Sequence, residues 1–254
     1  MATANFDVRD LNIVGRGENP LGLVMARYAR LDSEIIWLKT RLRLKIFMRA
    51  IADASAESGK RIIDIIGAAL LMLVLAPLLL LIAILIKSES NGPVLFAQIR
   101  VGKWGKPFTM YKFRSMCADA EHRKAELLER NEMRGGVIFK IKDDPRVTRI
   151  GKVIRRGSLD ELPQLWNVLK GDMSLVGPRP PVPDEVSRYS LDERRRLDAK
   201  PGITCTWQVT GRSQLPFRRQ VELDVFYIES QTLWGDLKLL LKTVPAVLTG
   251  RGAY

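Results

Sequence analysis

The chain is poor in the residues that make disulfides and zinc sites, with two cysteines and a single histidine in 254 residues. Cys117 and Cys205 lie far apart without CxxC spacing, and His122 stands in a charged stretch. A disulfide framework and a Cys/His zinc site are therefore excluded, and both thiols are expected to be reduced, as in a cytoplasm. Acidic residues are also scarce, 28 against 41 Lys and Arg, for a net charge of +13. Such a surface concentrates anions: nucleic acid, acidic lipid headgroups or phosphorylated substrates. The aromatics, 7% of the chain, do not interleave with the basic residues. Stacking platforms need that arrangement, so nucleic acid is set aside. Residues 1–20 carry several charges and no apolar core, so no signal peptide is expected there.

What is present is one long apolar run. Ile65 to Ile86 reads IIGAALLMLVLAPLLLLIAILI, uncharged and about the length of a bilayer-crossing helix. Pro77 falls at its middle, where it removes a backbone donor and crowds the preceding turn, so a kink is expected. Both flanks are basic: Arg41, Arg43, Lys45, Arg49, Lys60 and Arg61 precede the run, and Lys87, Arg100, Lys103 and Lys106 follow it. Positive flanks stay in the cytoplasm. A helix that bends at Pro77 and returns satisfies both flanks, whereas a plain spanning helix leaves one outside. Asp64, at the start of the run, is expected to pair with a neighbouring Lys or Arg near the headgroups.

The rest divides into an N-terminal extension, residues 1–58, and a region 89–254 on the far side of the membrane segment, 59–88. Met1 to Asn19 reads as loose. Leu21 to Ala54 has helical periodicity with interleaved basic residues, which suits either a helix lying on a membrane or an oligomer contact. Val94 to Met116 alternates as two short strands around Gly102 and Gly105. Ala118 to Glu132, Leu159 to Leu169, Leu191 to Asp198 and part of Val221 to Leu248 read as helices. The fold class is mixed α/β, mostly helical: a small membrane-associated unit with surface amphipathic helices.

Chemistry concentrates in Arg155-Arg156-Gly157-Ser158-Leu159-Asp160-Glu161. Ser158 and Glu161 fit an S-x-x-E capping box, which is a local structural reading. A helix N-terminus flanked by two arginines is equally an anion site, where a carboxylate meets a phosphate already neutralised by its surroundings. Adjacent residues on a helix point apart, so Asp160 and Glu161 are expected to take different roles. Arg179 is held between Pro178 and Pro180. A rigid guanidinium suits phosphate recognition, although surface arginines are common. Lys112 and Arg114 fall on one face of a strand, and Asp143-Asp144-Pro145-Arg146 makes a turn with a further arginine. Either group could equally be structural.

Taken in order, KRIIDIIGAALLMLVLAPLLLLIAILIK, RVGKWGKPFTMYKFRSM, SLDELPQLWNVLKGDMSLVGPRP, PGITCTWQVTGRS and ELDVFYIES resemble the monotopic phosphoglycosyl transferases. These are the polyprenyl-phosphate sugar phosphotransferases that start bacterial glycoconjugate synthesis. The resemblance covers the chain from about Lys60 onward. It implies a re-entrant helix broken at Pro77, and a catalytic domain on the cytoplasmic face of the inner membrane in contact with its lipids. It also implies dependence on Mg2+ near Asp160, with a UDP-sugar and undecaprenyl phosphate as substrates. Asp160 would be the nucleophile that displaces UMP to leave a phosphosugar-aspartate, and Glu161 would accept a proton in the second step. Arg155 and Arg179 match positions that hold phosphates, with Lys112, Arg114 and Arg146 as further phosphate candidates. The family often has Ser-Pro at the helix break, whereas this chain has Ala76-Pro77. The WQVTGRS segment is similar to members that transfer hexose 1-phosphate in exopolysaccharide synthesis, so glucose or galactose is expected. The competing class is a non-enzymatic membrane-anchored binder of acidic lipid or other polyanions. Homo-oligomerisation is left open.

Overall fold

The computed structural model describes residues 20–117, 119–120, 122–123, 141, 144–211 and 215–249. Met1 to Asn19, most of the Ala118 to Glu132 stretch and Asp143 lie outside the described residues. The chain divides into two compact units, residues 1–55 and 56–254. The first contains the beginning of a long helix, α1 (Pro20–Glu89). There Ile36, Trp37, Leu38 and Phe47 are exposed, and the Arg41 guanidinium lies 5.1 Å from the Trp37 ring.

The second unit holds everything else. After α1 come β1 (Leu95–Val101), β2 (Pro107–Phe113), α2 (Arg149–Arg156), α3 (Gln164–Lys170), β3 (Ser174–Val176), α4 (Pro183–Ser187) and α5 (Leu191–Arg194). Then follow β4 (Gly202–Thr204), α6 (Thr206–Thr210), α7 (Phe217–Glu229) and α8 (Leu233–Thr249). β1 and β2 form an antiparallel hairpin with Gln98 opposite Met110, turning where Trp104 and Gly105 adopt positive φ. β3 and β4 form a short parallel pair. The result is a helix-rich mixed fold with two small sheets and one long apolar helix.

The apolar part of α1 is long and hydrophobic enough to cross a membrane, with a mean hydropathy of 3.2 and only 11% of its apolar window buried. Leu70, Leu73, Val74, Leu80 and Leu81 are exposed. The backbone stays helical through Pro77, so the expected break is not an interruption of helical structure. Both ends of the run are nevertheless docked. At the start, Ala68 joins a core with Met110, Leu165, Val168 and Leu175. Arg61 donates to the carbonyls of Val168 and Leu169 in the last turn of α3, adding to the bond that Gly171 N already gives Val168 O. At the other end, Ile82 and Ile86 pack with Phe113 and Ile154. The Glu89 carboxylate accepts from the amides of Arg149 and Ile150, and so caps α2 together with Thr148.

Two local expectations are corrected. Among the described residues Asp64 pairs with no Lys or Arg; its buried carboxylate accepts from Ser174 Oγ at 3.0 Å and Leu175 N at 2.9 Å. It is used to tie α1 to β3, whose backbone needs the acceptor more than a solvated cation does. Leu159 to Leu169 is not one helix. A single 3-10 turn over Leu159–Glu161 is followed by Pro163, and α3 begins only after it.

Candidate active site

α2 ends in Arg155 and Arg156, and the chain then turns sharply through Gly157 and Ser158. Ser158 sits in the left-handed region at φ 53°, a strained position for a residue with a Cβ. Its side chain caps nothing, so the capping-box reading is overturned. The reason is that Glu161 does not reach back to the turn: its Oε1 lies 2.5 Å from Lys112 Nζ, which β2 presents from outside.

The turn places the two carboxylates in unlike surroundings. Asp160 is 9% exposed. Burial pushes its carboxyl up to about 6, opposed by Lys112 and Arg155 and reinforced by the charge of Glu161. Glu161 also pays for burial, but Lys112, Arg179 and Arg100 together outweigh that and hold it below the usual carboxylate range. Near neutral pH the pair thus comprises one carboxylate poised to titrate and one held ionised.

Of the sequence candidates, the fold gathers Asp160, Glu161, Lys112, Arg155 and Arg179 into one electrostatic cluster. Arg179 stands 29% exposed, with Glu185 at 3.8 Å. Two candidates are engaged elsewhere. Arg114 is buried and donates to Ser90 and Asn91, closing the end of α1. Arg146 is buried against Asp144, 2.6 Å away, and also donates to Ala120 O. Pro77 lies within α1, away from this cluster in sequence and in element.

Two residues that matter to the site escaped the sequence reading. Asn167, fully buried, accepts from Tyr111 N and donates to Thr109 O, which seats α3 on β2 and so fixes the strand that carries Lys112. Its signal was an amide inside the apolar stretch Leu165 to Leu169. Arg100, buried at the end of β1, bears on Glu161 and Arg179. Its signal was an arginine in the strand position two after Gln98, on the same face.

Among the described residues no three His, Cys, Asp or Glu cluster as a metal cage. Among the described residues Asp144 is paired with Arg146 and Glu161 with Lys112, whereas Asp160 is a carboxylate that a metal could share with substrate phosphates. That suits Mg2+, which keeps much of its water and binds through one or two carboxylates plus substrate phosphates.

Fold and site together define a helix-rich protein built on one membrane-length apolar helix, with a carboxylate pair set among cations. A sequence model of the family described as "Bacterial sugar transferase" matches residues 55–250, and the chain belongs to that family. It is 49% identical over 196 residues to galactosyl transferase CpsE of Streptococcus agalactiae, covering 77% of this chain and 43% of the relative. It is 43% identical to the undecaprenyl-phosphate galactose phosphotransferase of Salmonella typhimurium, over 80% of this chain and 43% of the relative. To the UDP-glucose:undecaprenyl-phosphate glucose-1-phosphate transferase of Caulobacter vibrioides it is 42% identical, over 79% of this chain and 73% of the relative. The chain thus spans less than half the length of the first two relatives.

Proposed function

We propose that the protein transfers a hexose 1-phosphate from a UDP-sugar to undecaprenyl phosphate, releasing UMP and starting exopolysaccharide synthesis. The observation that carries this reading is the divided state of Asp160 and Glu161 beneath a rim of cations. The names of the Salmonella and Caulobacter relatives support the lipid acceptor and the hexose phosphate.

In this mechanism an Asp160 oxygen attacks the sugar-bearing phosphorus and the bond to the UMP oxygen breaks, so UMP leaves with the electron pair. An oxygen of the lipid phosphate then attacks the same phosphorus, which frees the Asp160 carboxylate and yields a lipid diphosphate sugar. Glu161, ionised beside Lys112, accepts the proton in that second step. Arg155 and Arg179 bind phosphate oxygens, and Arg114 and Arg146 support the walls. Asp160 would hold Mg2+, which when bound supplies charge neutralisation on the diphosphate.

A re-entrant arrangement of residues 59–88 accompanies this reading, with 1–58 as an extension, 89–254 as the catalytic domain and the amphipathic α8 on the bilayer surface. A straight helix from Asp64 to Ile86 is about 33 Å long, against a hydrocarbon core of about 30 Å. Yet both of those residues are buried against the same folded unit, and Glu57 pairs with Lys103 across the two flanks at 3.0 Å. A unit confined to the cytoplasmic face of the inner membrane holds both ends only if α1 bends back, and Pro77 is where a continuous helix bends most readily.

The test is UMP release from a panel of UDP-sugars by the full chain with undecaprenyl phosphate and magnesium. Wild type is expected to release UMP with a glucose or galactose donor, and Asp160→Asn to lose at least about a thousandfold in rate. Because the folded-state carboxyl titrates above its usual value, its charge opposes folding above about pH 6. Asp160→Asn is therefore expected to melt no lower than wild type at neutral pH. Turnover by Asp160→Asn would remove Asp160 as the nucleophile, and ligand binding by wild type without UMP release from any donor would replace the enzyme with a membrane-anchored binder.

A further inference from the structure

Behind the cationic rim stands a guanidinium that the proposed reaction leaves unused. Arg100 is 7% exposed. Its Nη1 donates to Pro180 O at 2.9 Å and its Nη2 to Gln98 Oε1 at 2.6 Å, while its Nε is buried without a hydrogen-bond partner among the described residues. Its polar contacts are thus a carbonyl and an amide, both neutral. The next residue contributes a second clamp, as Val101 N donates to Pro181 O at 2.9 Å. The end of β1 therefore grips the proline-rich turn at two successive carbonyls, immediately after Arg179.

A buried cation bonded only to neutral partners keeps a strong field at short range. Around Arg100 that field meets Arg179, which it repels, and Glu185 and Glu161, which it attracts. Glu185 also lies 3.8 Å from Arg179, so both guanidinium groups act on the same carboxylate. Where Arg179 stands therefore depends on the turn that Arg100 grips.

We propose that Arg100 is a positioning residue for a phosphate group: it fixes the Pro178–Pro181 turn and so holds the Arg179 guanidinium where it meets the incoming phosphate. This rests on the phosphate-transfer reading of the same site. Two sources share the chemistry, the diphosphate of the nucleotide sugar and the phosphate of the lipid.

The full chain in lipid nanodiscs, as wild type, Arg100→Lys, Arg179→Gln and the double variant, separates them. Arg100→Lys keeps a charge but cannot hold the turn with the same fork of donors. KM for either the UDP-sugar or undecaprenyl phosphate is expected to rise about tenfold in Arg100→Lys, with kcat within about twofold. The substrate affected identifies the source. On the Arg179→Gln background the same change adds less than about twofold, because one residue acts through the other. Loss confined to kcat, or a full effect persisting without Arg179, overturns the proposal. Calorimetric binding of inorganic diphosphate supplies a readout independent of turnover. Arg100→Lys is expected to bind it more weakly than wild type, and to add little to the loss on the Arg179→Gln background. If wild type binds diphosphate more tightly than Arg100→Lys but turns over no UDP-sugar, the functional reading fails and the role of Arg100 stands. If Arg100→Lys binds diphosphate as wild type does, the role of Arg100 fails whatever the activity.

Discussion

Asp160 and Glu161 are chain neighbours whose carboxyl groups are driven in opposite directions, and one side chain accounts for much of the difference. Lys112 bonds Glu161 directly and acts on Asp160 only through its field, as the largest influence opposing burial there. The other charges bearing on Asp160 are Glu161 beside it and Arg155 at the end of α2. Because the proposed mechanism needs an ionised Asp160, activity is expected to fall as pH drops through about 6. Replacing Lys112 with Met removes the opposing field, so the Asp160 carboxyl rises further and the acid limb of the pH–rate profile moves up by about one unit. A limb that stays in place in Lys112→Met would remove Lys112 from the site. The carboxylate pair itself was legible in the sequence, as was the arginine between prolines. The partner of Glu161 was not: hydrogen bonding to Ser158 and pairing with Lys112 both satisfy a carboxylate, and only their distances choose between them.

At the scale of elements, α2 aims Arg155 and sets the start of the turn that carries Asp160 and Glu161, and its own seat depends on a close approach. A Cβ on Gly151 would lie 2.0 Å from the carbonyl oxygen of Ser115, a backbone atom that cannot swing aside. Alanine is the better helix former by about 1 kcal/mol, so intrinsic propensity predicts stabilisation. The contact predicts the reverse: Gly151→Ala should lower stability by about 2 kcal/mol or more and lift α2 from Ser115. Chemical unfolding measures the sign, and a stabilised Gly151→Ala would show that this packing does not exist in solution. The hairpin of β1 and β2 was legible from alternation around Gly102 and Gly105. The division of Leu159 to Leu169 was not, although Pro163 marks where it falls. Helical periodicity bridges a short break such as this one, a 3-10 turn followed by Pro163.

For the molecule as a whole, the central matter is how one apolar helix meets a bilayer while both of its ends belong to the same unit. Cysteines introduced at Ala56, before the run, and Arg218, on α7, test this in intact cells. Ala56 is exposed, and the Arg218 side chain is 93% exposed. Both are expected to resist a membrane-impermeant maleimide from outside and to react once the membrane is opened. Labelling of the residue 56 cysteine from outside would mean that α1 spans. A net charge of +13 suits the anionic cytoplasmic leaflet on which this arrangement rests.

The sequence by itself determined the features that are written locally: the apolar run with its basic flanks, the excess of positive charge, the carboxylate pair and the hairpin. These follow from composition and from periods of two or 3.6 residues, which need no knowledge of distant partners. Tertiary structure alone decided that Asp64 serves the backbone of β3, that Arg114 and Arg146 are tied into the frame, and that Arg100 stands behind Arg179. The reason is range. Which cation meets which carboxylate, and which of them is dry, depends on separations of a few ångströms between residues up to 176 positions apart, as between Lys60 and Asp236. No local pattern encodes such distances.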